Sequence, residues 1–265
     1  MTSLWLTVLI TWAVLAAAYL VVWAVRRGGG SPLDTGPTLG FIAGAFGLLL
    51  SLLLFFSIGH YSQAKSAAQQ EASTNLALFS SATGLPAGTI AKVQHDALCV
   101  MRSTITDEWP AMADGDLDGT PRTQAFISRL YDQVTSIPLD DARTSAQYGR
   151  IYTLLVQRGQ DRATRLYQGQ PQIPIAIWVV VWVLAFMVVV LAGLQEKLRG
   201  RGAWIGMGAA MVVTITVALV AVAALDNPYG PLTDVGPSSM QQAVAVLDAS
   251  QHDPGVNAPC VLPRA

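Results

Sequence analysis

Arg158, Arg162 and Arg165 stand at i, i+4 and i+7, on one stripe of a segment that leads into a long apolar run. Guanidiniums so spaced form either a solvated helix face or, repeated around an oligomer beside a membrane mouth, an electropositive ring that concentrates anions. Glu71 lies 12 residues beyond one apolar run, and Arg162 lies 12 residues before Pro174, which opens another. At about 1.5 Å per residue both stand about 18 Å from their runs, so antiparallel helices would bring them level as an ion pair. Cys99 and Cys260 are the two cysteines. They lie on one side of the membrane whichever way the chain sits, and are either a disulfide, if that side is oxidising, or two buried thiols.

Enzyme chemistry has no foothold. The chain lacks a phosphate-cradling glycine loop, a G-x-S-x-G elbow and a C-x-x-C, and His60, His95 and His252 are too dispersed for a metal site. The expectation is a non-enzyme with no cofactor, no metal and no nucleic-acid partner.

The elements that carry these residues follow from composition. Of 265 residues, 52% are apolar and only 12% charged, about half the charge of a soluble domain. Four uncharged runs are long enough to cross roughly 30 Å of hydrocarbon as helix: Leu4–Val25, Thr38–Gly59, Ile175–Leu194 and Ala203–Leu225. Arg26-Arg27 follow the first run and nothing basic precedes it, so it reads as a retained span rather than a signal peptide. The short loops 26–37 and 195–202 hold five basic and two acidic residues, a sum of +3, which leaves −4 for the rest of a chain of net charge −1. That asymmetry places the loops in the cytoplasm, and the middle segment and both termini outside the cell membrane.

The second run continues without a Gly or Pro break through Tyr61 to Phe79, so one long helix leaves the membrane and opens a polar domain. Gly40, Gly44 and Gly47 offer a helix-packing face within it. Leu48, Leu52, Phe55 and Phe56 belong to a bulky stretch that is either lipid-facing or a hydrophobic constriction, and periodicity cannot separate the two where every face is apolar. Residues 60–172 read as four amphipathic helices, with breaks at Gly84–Pro86, Pro110–Gly119 and Pro138. Asp107-Glu108-Trp109-Pro110 reads as a helix terminator with an anchoring ring, and Asp226-Asn227-Pro228-Tyr229-Gly230 as a polar stop after the fourth span. Gly193, Gly206 and Gly208 read as packing residues. Ser239–Leu247 is a short helix candidate in an otherwise loose tail.

The fold class is therefore an all-α integral membrane protein. A transmembrane hairpin (1–59) precedes a polar four-helix domain (60–172), followed by a second hairpin (173–225) and a polar tail (226–265).

Together these pieces resemble the bacterial bestrophin-like family of four-span membrane proteins. The resembling residues are Glu71-Ala72, Leu85-Pro86, Glu108-Trp109-Pro110, the Arg158/Arg162/Arg165 stripe and Leu225 through Gly230. More distantly, Asn227-Pro228-Tyr229-Gly230 is similar to the Asn-Pro-Phe-Gly turn of bestrophins, pentameric anion channels whose second span lines the pore. The resemblance implies a homo-oligomeric anion pore embedded in lipid and lined by the second span, on which Leu48, Leu52, Phe55 and Phe56 are the constriction candidates by their bulk. Two departures stand out. Calcium-binding bestrophins follow the turn with a run of acids where this chain has only Asp234, and bestrophins keep the middle domain in the cytoplasm. The alternative from another class is a non-conducting structural or accessory subunit whose polar domain binds an unidentified protein.

Overall fold

The computed structural model describes residues 2–28, 35–195, 201–230, 232–233, 235–250 and 253–261. Asp234 and His252 lie outside the described residues. Among the described residues all regular structure is helical, and the chain divides into two compact units.

The first unit comprises Met1–Tyr61 and Pro171–Asn227. It contains α1 (Thr2–Arg27), the first part of α2 (Gly36–Ser81), α7 (Ile175–Leu194) and α8 (Arg201–Leu225). Each carries a stretch long and apolar enough to span a membrane, as the uninterrupted runs dictate, because lipid leaves backbone groups no partner outside the helix. Leu15 and Ala18 of α1, Phe46 and Leu53 of α2, Trp178, Val181 and Ala185 of α7, and Ile215, Leu219 and Val222 of α8 share one core. The C-terminal carbonyls of α7 are satisfied from outside the helix. Arg26 donates to the Gly193 and Gln195 carbonyls at 2.9 and 3.3 Å, and the Thr35 hydroxyl donates to Leu191 at 3.1 Å. A cation there also complements the helix dipole.

At Gly193, α1 approaches α7 closely. A Cβ at that position would stand 2.7 and 2.9 Å from the two γ-methyls of Val22, and a β-branched side chain has few rotamers with which to yield. Gly193→Ala should therefore cost about 1–3 kcal/mol, the usual range for overpacking. Unfolding in mixed micelles measures the loss, and adding Val22→Ala should recover part of it. Gly206 and Gly208 meet no such neighbour, so of the three glycines read as packing residues only Gly193 has that role within the chain.

The second unit comprises Ser62–Gln170 and Pro228–Ala265. After the last part of α2 come α3 (Ala87–Ser103), a π-helical turn (Thr104–Glu108), α4 (Trp109–Ala113), α5 (Pro121–Thr135), α6 (Ala142–Gln168) and α9 (Ser238–Ser250). The start signals are local. The Thr120 and Asp141 side chains accept from the backbone N–H of Thr123 and Thr144, capping α5 and α6, and Pro121 occupies the first turn of α5, where its missing N–H costs nothing. Leu78, Phe79, Val93, Ala97, Met101, Phe126, Leu130, Val134, Ile151 and Leu155 form the core, each nearly or fully buried. Complete burial of such a side chain contributes about 1.5–3 kcal/mol.

Two expectations change here. Asp107–Pro110 does not end a helix. Pro110 has no N–H to give the Thr106 carbonyl, and the ladder slips into a π turn in which the Trp109 N–H reaches Thr104, after which the helix resumes. Nor is the tail beyond α9 loose over its described residues: Val256 enters the core, as do Met240, Ala243 and Leu247 of α9 itself. Cys99 and Cys260 are bonded to each other, with Cα atoms 5.4 Å apart.

Candidate functional site

Five charged side chains meet inside the second unit. On α6 the apolar stripe Ile151 and Leu155 continues at the same spacing into Arg158, Arg162 and Arg165, so the guanidiniums take up the buried face. Arg165 is fully buried and Arg158 is 1% exposed. Glu71 enters from α2, and Glu108 is carried in by the π turn; both are fully buried.

Arg165 is the hub. Its Nε donates to Glu71 Oε2 at 2.5 Å, its Nη2 donates to Glu108 Oε2, its Nη1 faces the Met112 sulfur, and its guanidinium lies 4.6 Å from the Trp109 ring centroid. Arg162 donates to Glu108 Oε1 from Nε at 3.0 Å and from Nη2 at 2.5 Å. Arg158 donates from Nε to Asn75 Oδ1 at 3.1 Å, while its Nη2 stands 4.0 Å from Glu71 Oε1. Asn75 is oriented by its own amide donating to the Glu71 carbonyl. Asp161 accepts from Thr74 and Gln157 at 2.6 and 2.9 Å. Gly119 closes the group, since its φ of +81° suits glycine and a Cβ there would stand 2.4 Å from Arg162 Nη2.

Burial disfavours charge at each site, and the balance differs by residue. Burial alone would raise the Glu108 carboxyl, but the Arg165 and Arg162 guanidiniums outweigh it and hold the group below its ordinary value. Burial would lower Arg165, yet Glu71 and Glu108 hold it above the ordinary guanidinium value. At Arg158 burial prevails over Glu71, with Arg162 and Arg165 adding repulsion, and the value falls.

This geometry corrects two sequence expectations. Glu71 pairs with Arg165, not Arg162, which binds Glu108. The count from Pro174 treated the approach as unbroken helix, whereas α6 stops at Gln168 and α7 starts at Ile175. The intervening residues do not advance by the helical rise, and the pairing moves by one turn. The arginine stripe is likewise no open anion-attracting face, because Arg158 and Arg165 are buried and all three guanidiniums are bound by Glu71, Glu108 or Asn75.

The turn after α8 divides between the two units. In the first, Asp226 is buried and accepts the backbone N–H groups of Gln172 and Ile173 at 2.9 and 3.3 Å, fixing the chain where it enters α7; His60 Nδ1 lies 4.0 Å away. Asn227 and Asp226 border a cavity of about 100 Å³ with Thr7, Ile173 and Trp178. In the second, Pro228, Tyr229 and Gly230 are buried. The Tyr229 hydroxyl donates to the Ala64 carbonyl at 3.2 Å, and its ring meets Trp109 edge-on at 6.2 Å. Burial pushes that phenol up. The Trp109 indole N–H donates to the Val235 carbonyl, so this ring is an interior strut.

The membrane part of α2 shows what periodicity could not. Phe46, Leu53, Ser57 and His60 are buried, whereas Leu48, Leu52, Phe55 and Phe56 are 72%, 46%, 72% and 61% exposed. Beyond the local backbone of α2 itself, no atom of the described residues lies within 4 Å of where a Cβ would stand at Gly40, Gly44 or Gly47. Spacings of three and four residues place these glycines, Leu48 and Phe55 on one stripe. Among the described residues that stripe is largely uncovered: small at Gly40–Gly47, bulky from Leu48 to Phe56.

Fold comparison returns bacterial membrane proteins. The bestrophin homologue from Klebsiella pneumoniae superposes with a TM-score of 0.65 at 14% identity, covering 95% of this chain and 99% of that one. A leucine-to-threonine variant of the same protein gives 0.63 at 12% identity, over 94% and 100%. An isoleucine-to-threonine variant gives 0.63 at 12%, over 92% and 99%. Identities this low speak for the fold alone. No curated protein matches the chain. The Bestrophin-like domain model matches residues 6–240, so the chain, a membrane protein by its four apolar helices, belongs to the bestrophin-like family.

Proposed function

We propose that several copies of this chain, five by family resemblance, assemble in lipid around an axis lined by α2 and conduct ions, with anions as the favoured class. The observation that carries this reading is the uncovered stripe of α2. Its glycines allow close approach of neighbouring backbones, and its Leu48, Leu52, Phe55 and Phe56 would form the constriction, opposing ion passage by excluding water. The four spans then form two hairpins flanking the polar domain. That domain and both termini lie outside the cell, as the loop charges favour and as suits a chain whose two cysteines are bonded. Anion preference rests on the family and not on the arginine stripe, of which Arg158 and Arg165 are buried and Arg162, only partly exposed, is bound to Glu108.

A second reading, a non-conducting accessory subunit, draws support from the same stripe, which bears no charge. Chloride flux into liposomes separates the two. Phe55→Ser, a small polar replacement on an exposed position, should raise flux several-fold over the unaltered protein by easing wetting. If both proteins are intact and oligomeric yet neither passes chloride, the accessory reading stands and the channel is lost.

A further inference from the structure

The environment of the disulfide is chemically asymmetric. Cys99 is fully buried on α3, whereas Cys260 lies on the tail between exposed Pro259 and Val261 and is itself only partly buried. One turn before Cys99, His95 places Nε2 3.5 Å from the Cys99 sulfur and Nδ1 3.1 Å from the Val256 carbonyl oxygen. A carbonyl can only accept, so Nδ1 carries the hydrogen, and in the neutral form of the ring Nε2 turns its lone pair toward the sulfur. The other charged groups on the elements packed here are Lys92, Asp96 and Arg102 on α3, Arg122, Arg129 and Asp132 on α5, Asp248 on α9, which pairs with Arg102, and Asp253 on the tail turn. Asp96 and Arg129 are paired with each other, and Asp253 accepts the Gly255 N–H at 2.8 Å.

We propose that the Cys99–Cys260 bond is a thiol–disulfide exchange site for a dithiol, with Cys260 the sulfur attacked, Cys99 the leaving sulfur and His95 the proton partner of the leaving thiolate. The first thiolate of the dithiol bonds to Cys260 Sγ, the Sγ–Sγ bond breaks, and its electron pair leaves on Cys99. The proton shed by that first thiol is recovered at His95 Nε2, giving a thiolate–imidazolium pair. The second thiol then displaces Cys260, which takes up the remaining proton. The dithiol ends as a disulfide, oxidised by two electrons, and the protein's disulfide is reduced. A leaving thiolate paired with a cation departs faster than an unpaired one. Attack from the Cys260 side is the route the burial difference leaves open. Exchange also cuts the covalent tie of the segment from Asp253 to Val261, whose other holds include Val256 in the core, the His95 contact and the Arg129 donation to the Val261 carbonyl at 3.0 Å.

The test uses the full-length protein in detergent with dithiothreitol as the probe, and follows thiols by mass after alkylation. The native protein should be reduced roughly tenfold faster at neutral pH than His95→Gln, which keeps a donor for the Val256 carbonyl but cannot hold the transferred proton. In Cys260→Ser, where Cys99 is a single thiol, thiolate absorbance should titrate clearly below the ordinary thiol value of about 8.5 and return toward it when His95→Gln is added. Equal reduction rates, a bond that resists dithiothreitol until the protein unfolds, or a Cys99 midpoint at or above the ordinary value would each overturn the proposal. The Cys260→Ser titration stands even if His95→Gln fails to fold.

Discussion

Glu108→Ala should destabilise the protein by about 3–5 kcal/mol, the range for removing one partner of a buried ion pair. Glu108 binds two guanidiniums, accepting from Arg165 through one oxygen and from Arg162 through the other, and none of its own surface is exposed. Truncation leaves fully buried Arg165 with Glu71 alone and leaves Arg162 without a carboxylate. The contrast is Arg102–Asp248, 2.8 Å apart, with side chains 32% and 44% exposed. Water screens that pair, and Asp248→Ala should cost no more than about 1 kcal/mol. Unfolding of both variants in mixed micelles checks the difference. A loss at Glu108 no larger than at Asp248 would mean that the buried network adds nothing the solvated groups lack.

The same carboxyl sets an acid limit. Its folded-state value lies below its ordinary 4.5, since the arginines outweigh burial. The folded state therefore holds this proton less readily than the unfolded chain. The contribution is complete above about 4.5 and is lost as pH falls through the folded value. Glu108→Gln, neutral at every pH, should be less stable near neutrality and lose less on acidification. A stability–pH curve for Glu108→Gln that parallels the native curve below 4.5 would assign the acid sensitivity elsewhere.

The arrangement was legible where one physical constraint dominated. Uncharged runs of twenty residues have no stable form in lipid except helix, so the four spans were readable, and so was the passage of α2 through Gly59 and His60 without a break. The site was only half readable. Arg158, Arg162 and Arg165 were visible as a stripe, but the apolar residues at the same spacing, Ile151 and Leu155, carried the decisive signal: they mark the stripe as the buried face, where a guanidinium requires a carboxylate. Glu108 was hidden for a different reason. A proline two residues on usually ends a helix, and whether the chain stops or slips into a π turn depends on the tertiary packing of Trp109 and Met112. The constriction candidates were unreadable on α2 because a wholly apolar helix has no amphipathic face. Which side is covered is decided by the helices that share its core, of which α7 and α8 are far away in sequence.

Breaking the covalent tie of the tail, by Cys99→Ser or Cys260→Ser, should lower stability by about 2–4 kcal/mol. The bonded cysteines are 161 residues apart, and a free chain closed over such a loop loses entropy worth about 5 kcal/mol. The loop contains α7 and α8, which stay helical in the membrane when the rest unfolds. Discounting some 45 residues of span changes a logarithmic term by only about 0.3 kcal/mol, so the membrane barely softens the effect. The stronger correction is local. Without the bond, the segment from Asp253 to Val261 can detach alone, so the loss felt by the rest is capped by what that segment contributes through Val256 and the Arg129 contact. Amide exchange should show this directly, with protection lost at Val256 and Asn257, which donate to the Asp253 carbonyl, and retained in the core around Phe126 and Leu130. A loss below about 1 kcal/mol with the Val256 amide still protected would show that the non-covalent contacts suffice and that the bond adds no restraint.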